Sequence, residues 1–199
     1  MGVAMNDMPL LSHMIAVTNR RLCTRGFTEQ IERICHAKPD RIILREKDLD
    51  DKAYEDLLCS VLPICHEYEI PLFVSGRIEL SAKYNTGLHL SYNDFMGFNQ
   101  EKTVGVSVHS AAEAENAVRN NAAYIIAGHI FATDCKKGIP PRGLDFLENI
   151  YNCVASTCAE LNKKPIPVYA IGGITPKNLP LIFASGAFGG CMMSGAMKL

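Results

Sequence analysis

The densest chemistry in the chain lies at residues 123–143, AYIIAGHIFATDCKKGIPPRG. A short apolar run, Tyr124 to Ala127, ends at Gly128, and His129 follows at once. A polar stretch then carries Thr133, Asp134, Cys135, Lys136 and Lys137, and Gly138 and Pro140-Pro141 close it. An imidazole gives and takes protons near neutral pH. Hydroxyl, thiol and ammonium groups beside it can bind an anion or return a proton. Two readings stand at this point: part of an active site, or a solvated loop with a capping histidine.

Other reactive groups follow apolar runs in the same way. Arg45 and Lys47 come after Ile42-Ile43-Leu44, Ser75 and Arg77 after Leu72-Phe73-Val74, and Asp94 a few residues after His89-Leu90. Ser107 and His109 lie at the end of Val104–Val108. Gly172-Gly173 and Ser194-Gly195 follow the last two apolar runs. Small residues there expose backbone N–H groups that suit a phosphate, although tight turns alone also use glycine. Arg45 and Lys47 suit a second anionic group, a carboxylate or diphosphate, or else pair with Glu46 or Asp48. His36 and His66 fall in helical stretches and read as bystanders, while His89 lies within a strand with its direction open.

Strands and helices must place these groups. Apolar runs at 14–18, 41–45, 71–74, 88–90, 103–108, 124–127, 166–171 and 188–193 read as buried strands. Helical spacing occupies 28–36, 53–69, 79–85, 111–120, 144–161 and 176–184. Thr28, Ser110 and Thr175 are the expected N-caps, and Pro63 is expected to disturb the second helix. Eight strands, most of them separated by helices, predict a (β/α)8 TIM barrel, whose active site lies at the carboxyl ends of the strands. Only four residues follow Gly195, so the eighth helix is expected to be missing or vestigial. Residues 1–13 are expected to be an N-terminal extension to a single barrel domain at 14–199. Residues 1–12, a second subunit or both would cover the gap, so a homodimer is expected.

The chain has 199 residues, 20 basic and 21 acidic, a balance that leaves no footprint for nucleic acid or a membrane surface. No apolar run is long enough to span a bilayer and no signal peptide is evident, so a cytoplasmic protein is expected. None of the eight cysteines forms a C-x-x-C pair, and most lie in apolar segments as small hydrophobes.

With AVTNR at 16–20, LREK at 44–47, GVSVH at 105–109, AIGGI at 170–174 and MSG at 193–195, the chain resembles the thiamine phosphate synthase superfamily over about residues 14–197. The synthase joins a pyrimidine diphosphate to a thiazole phosphate with Mg2+ on the diphosphate. Its strand-3 pattern, Asn-Asp-Arg, is here Ser75-Gly76-Arg77, and of its strand-4 acidic pair Asp94 remains. The stretch GHIFATDCKKG at 128–138 is similar instead to the thiazole tautomerase branch, the TenI proteins. That resemblance implies metal-independent aromatisation of a thiazole carboxylate phosphate. It makes His129 the proton shuttle and Gly172, Gly173, Ser194 and Gly195 the phosphate cup. Arg45, Lys47, Ser75, Ser107, Cys135 and Lys136 are the expected substrate-binding groups. No cofactor is then expected; Mg2+, with Asp94 as a ligand, is expected only for a synthase. A non-catalytic ligand-binding barrel is the third reading.

Overall fold

Eight strands close into a parallel barrel in the order β1 to β8 in the computed structural model, which describes residues 11–98, 102–133, 136 and 138–199. The strands are β1 (Met14–Val17), β2 (Arg41–Leu44), β3 (Leu72–Ser75), β4 (Gly87–Ser91), β5 (Val104–Val108), β6 (Tyr124–Gly128), β7 (Val168–Ile171) and β8 (Gly189–Met192). The helices between them are α1 (Phe27–His36), α2 (Asp51–Glu67), α3 (Ile78–Lys83), α4 (Tyr92–Met96), α5 (Ala111–Arg119), α6 (Gly143–Glu160) and α7 (Leu179–Ala184). The expected TIM barrel is present. Its eighth helix is reduced to a single 3-10 turn, Ala196–Lys198. Two compact units divide the chain: residues up to Gly87 with Met192–Leu199, and Leu88–Cys191.

In the first unit β1 pairs with β2 and β2 with β3, all parallel, with Ala16 opposite Ile42 and Ile43 opposite Phe73. Met14 to Val17 and Ile42 to Leu44 are buried, as continuous apolar strands covered on both faces must be. A polar link joins the ends of β1 and β2. The Thr18 hydroxyl donates to Glu46 Oε1 at 2.7 Å and accepts the Arg45 N–H at 2.9 Å. Both Glu46 oxygens also accept the Arg20 N–H at 3.0 Å, and Oε2 accepts from Arg20 Nη1 at 3.2 Å. A buried carboxylate persists only when so fully hydrogen-bonded. Glu46→Ala leaves Thr18 and the Arg20 N–H without this acceptor and is expected to cost about 3 kcal/mol in a urea titration.

The 3-10 turn buries Ala196 and Met197 and packs beside α1. Gln30 Nε2 donates to the Ala196 carbonyl at 2.7 Å, and Arg33 Nε and Arg25 Nη1 both donate to the Leu199 carbonyl. One short turn, held by three side chains of one neighbourhood, thus covers part of what an eighth helix would.

Asp48 forms an exposed ion pair with Arg20 at 2.6 Å and another with Arg21 at 2.8 Å. The hydrogen bond from Arg20 is the main cause holding the Asp48 carboxyl well below the usual range. A depressed carboxyl contributes stability above its unfolded pKa, about 4, and loses it as pH falls toward the folded value. Urea midpoints measured from pH 6 to pH 2 should therefore fall below about pH 4, and fall less in Asp48→Asn.

In the second unit β4 through β8 pair in sequence, with His89 opposite Gly105, Ser107 opposite Ile126 and Ala127 opposite Ala170. Ser110 caps α5 as expected, accepting the Glu113 N–H at 3.1 Å. Other expected caps fail. α1 begins after Gly26 with no side-chain cap. Thr175 does not cap α7, which starts only at Leu179: residues 175–178 form a turn instead, closed by the Asn178 N–H donating to the Thr175 carbonyl at 3.2 Å, while Asn178 Oδ1 accepts the Thr175 N–H at 2.9 Å and its Nδ2 donates to the Gly173 carbonyl. Pro63 leaves α2 continuous, and Asp50 caps that helix by accepting the Ala53 N–H. The short helix α4, between Ser91 and Gly97, was not expected.

Candidate active site

The carboxyl ends of the strands carry the reactive groups. In the second unit His129 follows β6 directly and is 4% exposed. Its Nε2 lies 3.3 Å from the Ile139 carbonyl. A carbonyl only accepts, so Nε2 carries the proton in the neutral ring and Nδ1 keeps its lone pair. Among the described residues nothing engages Nδ1. The histidine is thus neither a solvated cap nor a fully satisfied core residue.

The chain after His129 folds back along the end of β7. Ile130 N–H donates to the Ile171 carbonyl at 2.8 Å and Phe131 N–H to that of Gly172 at 3.0 Å. Gly172 has φ +101, and a Cβ there would lie 2.4 Å from His129 Cβ. The absent side chain at 172 therefore makes room for the catalytic candidate. Gly173, at φ +65, fits against Phe131 and the Ala132 carbonyl. Arg142 closes the far end: its N–H donates to the His129 carbonyl at 3.0 Å and its guanidinium to the His109 carbonyl. His109 Nδ1 in turn lies 3.1 Å from the Gly128 carbonyl. Arg142 and His109 thus hold the peptides on either side of His129.

Ser107 stands half-buried near the end of β5, with its Oγ 2.8 Å from His89 Nε2. His89 points inward, its Nδ1 3.1 Å from the Tyr124 hydroxyl. Lys136 is exposed, and its ammonium has no partner among the described residues. Cys135 lies outside the described residues. The sequence left the direction of His89 open and gave Tyr124 and Arg142 no role. One signal for Tyr124 was present: Gly105, set between Val104 and Val106 of β5, marks a strand position that a neighbour approaches closely.

In the first unit Arg45 and Lys47 flank the buried Glu46, and neither pairs with an acid among the described residues. Glu46 is taken by Thr18 and Arg20, and Asp48 by Arg20 and Arg21. Both cations therefore remain available to a ligand. Ser75 ends β3, its N–H 3.4 Å from the Tyr54 hydroxyl. Arg77 is committed elsewhere: it pairs with Asp51 at 3.0 Å and lies 4.0 Å over the Tyr54 ring. Ser194 is exposed and its hydroxyl has no partner among the described residues; Gly195 follows it into the 3-10 turn.

The donor set for a magnesium ion is poor. Gly76 offers no ligand where the synthase pattern has an aspartate, and the Asp94 carboxylate accepts the Ser91 hydroxyl at 2.6 Å. Among the described residues no group of three His, Cys, Asp or Glu side chains is placed to hold a metal. Mg2+ asks for a near-octahedral set of oxygens, and one carboxylate does not meet that demand. No helix among the described residues is long and apolar enough to cross a membrane.

The thiamine monophosphate synthase family model matches residues 14–196, the barrel from its first strand to its closing turn. The chain belongs to this family. The thiamine-phosphate synthase of Clostridium acetobutylicum is 30% identical over 190 residues, covering 92% of this chain and 85% of that protein. The thiamine-phosphate synthase of Syntrophomonas wolfei is 29% identical over 190 residues, covering 91% and 86%. Among solved structures, thiamine phosphate pyrophosphorylase from Pyrococcus furiosus superposes with a TM-score of 0.75 at 24% identity, over 92% of this chain and 86% of that one. The pyrophosphorylase from Bacteroides thetaiotaomicron gives 0.61 at 21%, and both likenesses concern the fold. Membership of the thiamine monophosphate synthase family makes this an enzyme-family barrel of thiamine biosynthesis, and families of this kind take small phosphorylated substrates.

Proposed function

We propose that this member of the family aromatises a thiazole carboxylate phosphate by proton transfer, without a metal. The observation that carries the proposal is the state of His129: buried, one nitrogen bonded to a carbonyl, the other open. In the reaction a base takes the ring C2 proton of the exocyclic-alkene tautomer. The C2–H electron pair moves into the ring, the exocyclic double bond takes up a proton at its outer carbon, and the ring becomes aromatic. Atoms and charge balance, and one imidazole can remove the first proton and return the second. Gly172, Gly173, Ser194 and Gly195 would receive the phosphate. Arg45 and Lys47 would face the carboxylate, with Ser75, Ser107, Cys135 and Lys136 as further substrate contacts. Residues 14–199 would act as one domain, as a homodimer.

The second reading is the coupling of a pyrimidine diphosphate to a thiazole phosphate. The names of the curated relatives favour it over the tautomerase, since those proteins are called thiamine-phosphate synthases. Against it stand Gly76 and the hydrogen-bonded Asp94. Ultraviolet-monitored conversion of the alkene in the presence of a chelator tests the first reading. Coupling activity that requires Mg2+ and is lost in Asp94→Ala would support the second.

A further inference from the structure

Three inward-facing side chains of the second unit form a chain of their own. The Tyr124 hydroxyl lies 3.1 Å from His89 Nδ1, and His89 Nε2 lies 2.8 Å from Ser107 Oγ. The His89 and Tyr124 rings are stacked, with centroids 5.7 Å apart. His89 and Tyr124 are 6% and 1% exposed, whereas Ser107 is half-buried, nearest the carboxyl end of its strand. Gly105 keeps the arrangement open, because a Cβ there would lie 1.9 Å from the Tyr124 ring. A folded interior does not need a tyrosine, a histidine and a serine to achieve packing.

The polarity of the chain follows from acid strength. A phenol is a better proton donor than a neutral imidazole N–H, so Tyr124 donates to Nδ1. Nε2 then bears the ring proton and donates to Ser107 Oγ. The Ser107 hydroxyl has no other partner among the described residues, so its own proton is free for a ligand.

We infer that His89 and Tyr124 are positioning residues, and that they fix Ser107 as a hydrogen-bond donor to an acceptor atom of the substrate. The inference rests on the proposed function for the identity of that substrate, an anionic thiazole phosphate. It adds a specificity element: an acceptor on the substrate pairs with the Ser107 proton, whereas an analogue with a donor in its place leaves that proton unpaired and binds more weakly. Through the same link Tyr124, which need not touch substrate, affects its affinity.

The test is a double-mutant cycle with a spectroscopic check. Ser107→Ala and Tyr124→Phe should each weaken binding of the aromatic thiazole carboxylate phosphate, and raise KM for the alkene, by about fivefold, the worth of one hydrogen bond. kcat should stay within about twofold, because neither hydroxyl moves a proton in the reaction. The double variant should be no worse than Ser107→Ala alone. Nitrogen-15 spectra of the His89 ring should show the Nε2–H tautomer in the wild type and a mixture in Tyr124→Phe. Additive losses in the double variant, or an Nδ1–H tautomer in the wild type, would overturn the inference. Absence of thiazole phosphate binding in the wild type would instead remove the proposed substrate, and the ring spectra would still decide the polarity of the chain.

Discussion

Alanine at position 129 is expected to lower turnover of the exocyclic alkene by about 100- to 10,000-fold, the range of a lost general acid–base group. Affinity for the aromatic product should change by less than about threefold, because the anion-binding groups lie elsewhere. The Ile139 carbonyl takes one ring proton at 3.3 Å, and Gly172 leaves space beside the Cβ. The carbonyl selects the tautomer, as the partner of a catalytic histidine commonly does. Folding should survive the change, which far-ultraviolet circular dichroism would show. A variant that keeps more than about a tenth of the wild-type kcat would remove His129 from the chemistry.

Gly172→Ala should have the second large effect, on stability and turnover together. Its φ of +101 lies in a region that side chains rarely enter, and its new Cβ would lie 2.4 Å from His129 Cβ and 2.9 Å from His129 Cα. Neither neighbour is the tip of a flexible side chain, so backbone must move. Strain and overpacking each cost about 1–3 kcal/mol, which for a chain of this size lowers the melting temperature by roughly 10 °C. Because the strain falls on His129, kcat should drop by more than stability alone explains. Gly76→Ala is the control: its φ is +74, but nothing lies within 4 Å of the added Cβ. That change should cost about 1–2 kcal/mol and leave kcat near the wild-type value. Equal effects at the two positions would mean that positive φ alone matters and that Gly172 makes no room for His129.

The barrel was legible because buried parallel strands are written as continuous apolar runs. Ile42-Ile43-Leu44 and Tyr124 to Ala127 could be little else. Helix starts were less legible. Thr175 looked like an N-cap, but residues 175–178 close a turn first and the helix starts only at Leu179; a hydroxyl alone does not reveal whether a turn or a helix follows it. The cations Arg45 and Lys47 were legible as rim residues, but not as unpaired ones, since that depended on Arg20 reaching back to Glu46 and Asp48. Ser107 was visible at a strand end. Its dependence on His89 and Tyr124 was not, because the three stand on three different strands and only the register of β4, β5 and β6 brings them together.

The most direct measurement of the central claim sets two reactions side by side with the wild-type protein. One follows the thiazole carboxylate phosphate alkene by ultraviolet absorbance in excess chelator. The other supplies pyrimidine diphosphate, thiazole phosphate and Mg2+ and assays for thiamine phosphate. Full tautomerisation in chelator and no coupling above background are expected. Coupling that depends on Mg2+, with no tautomerisation in chelator, would contradict that claim and place the chain with the relatives whose name is thiamine-phosphate synthase.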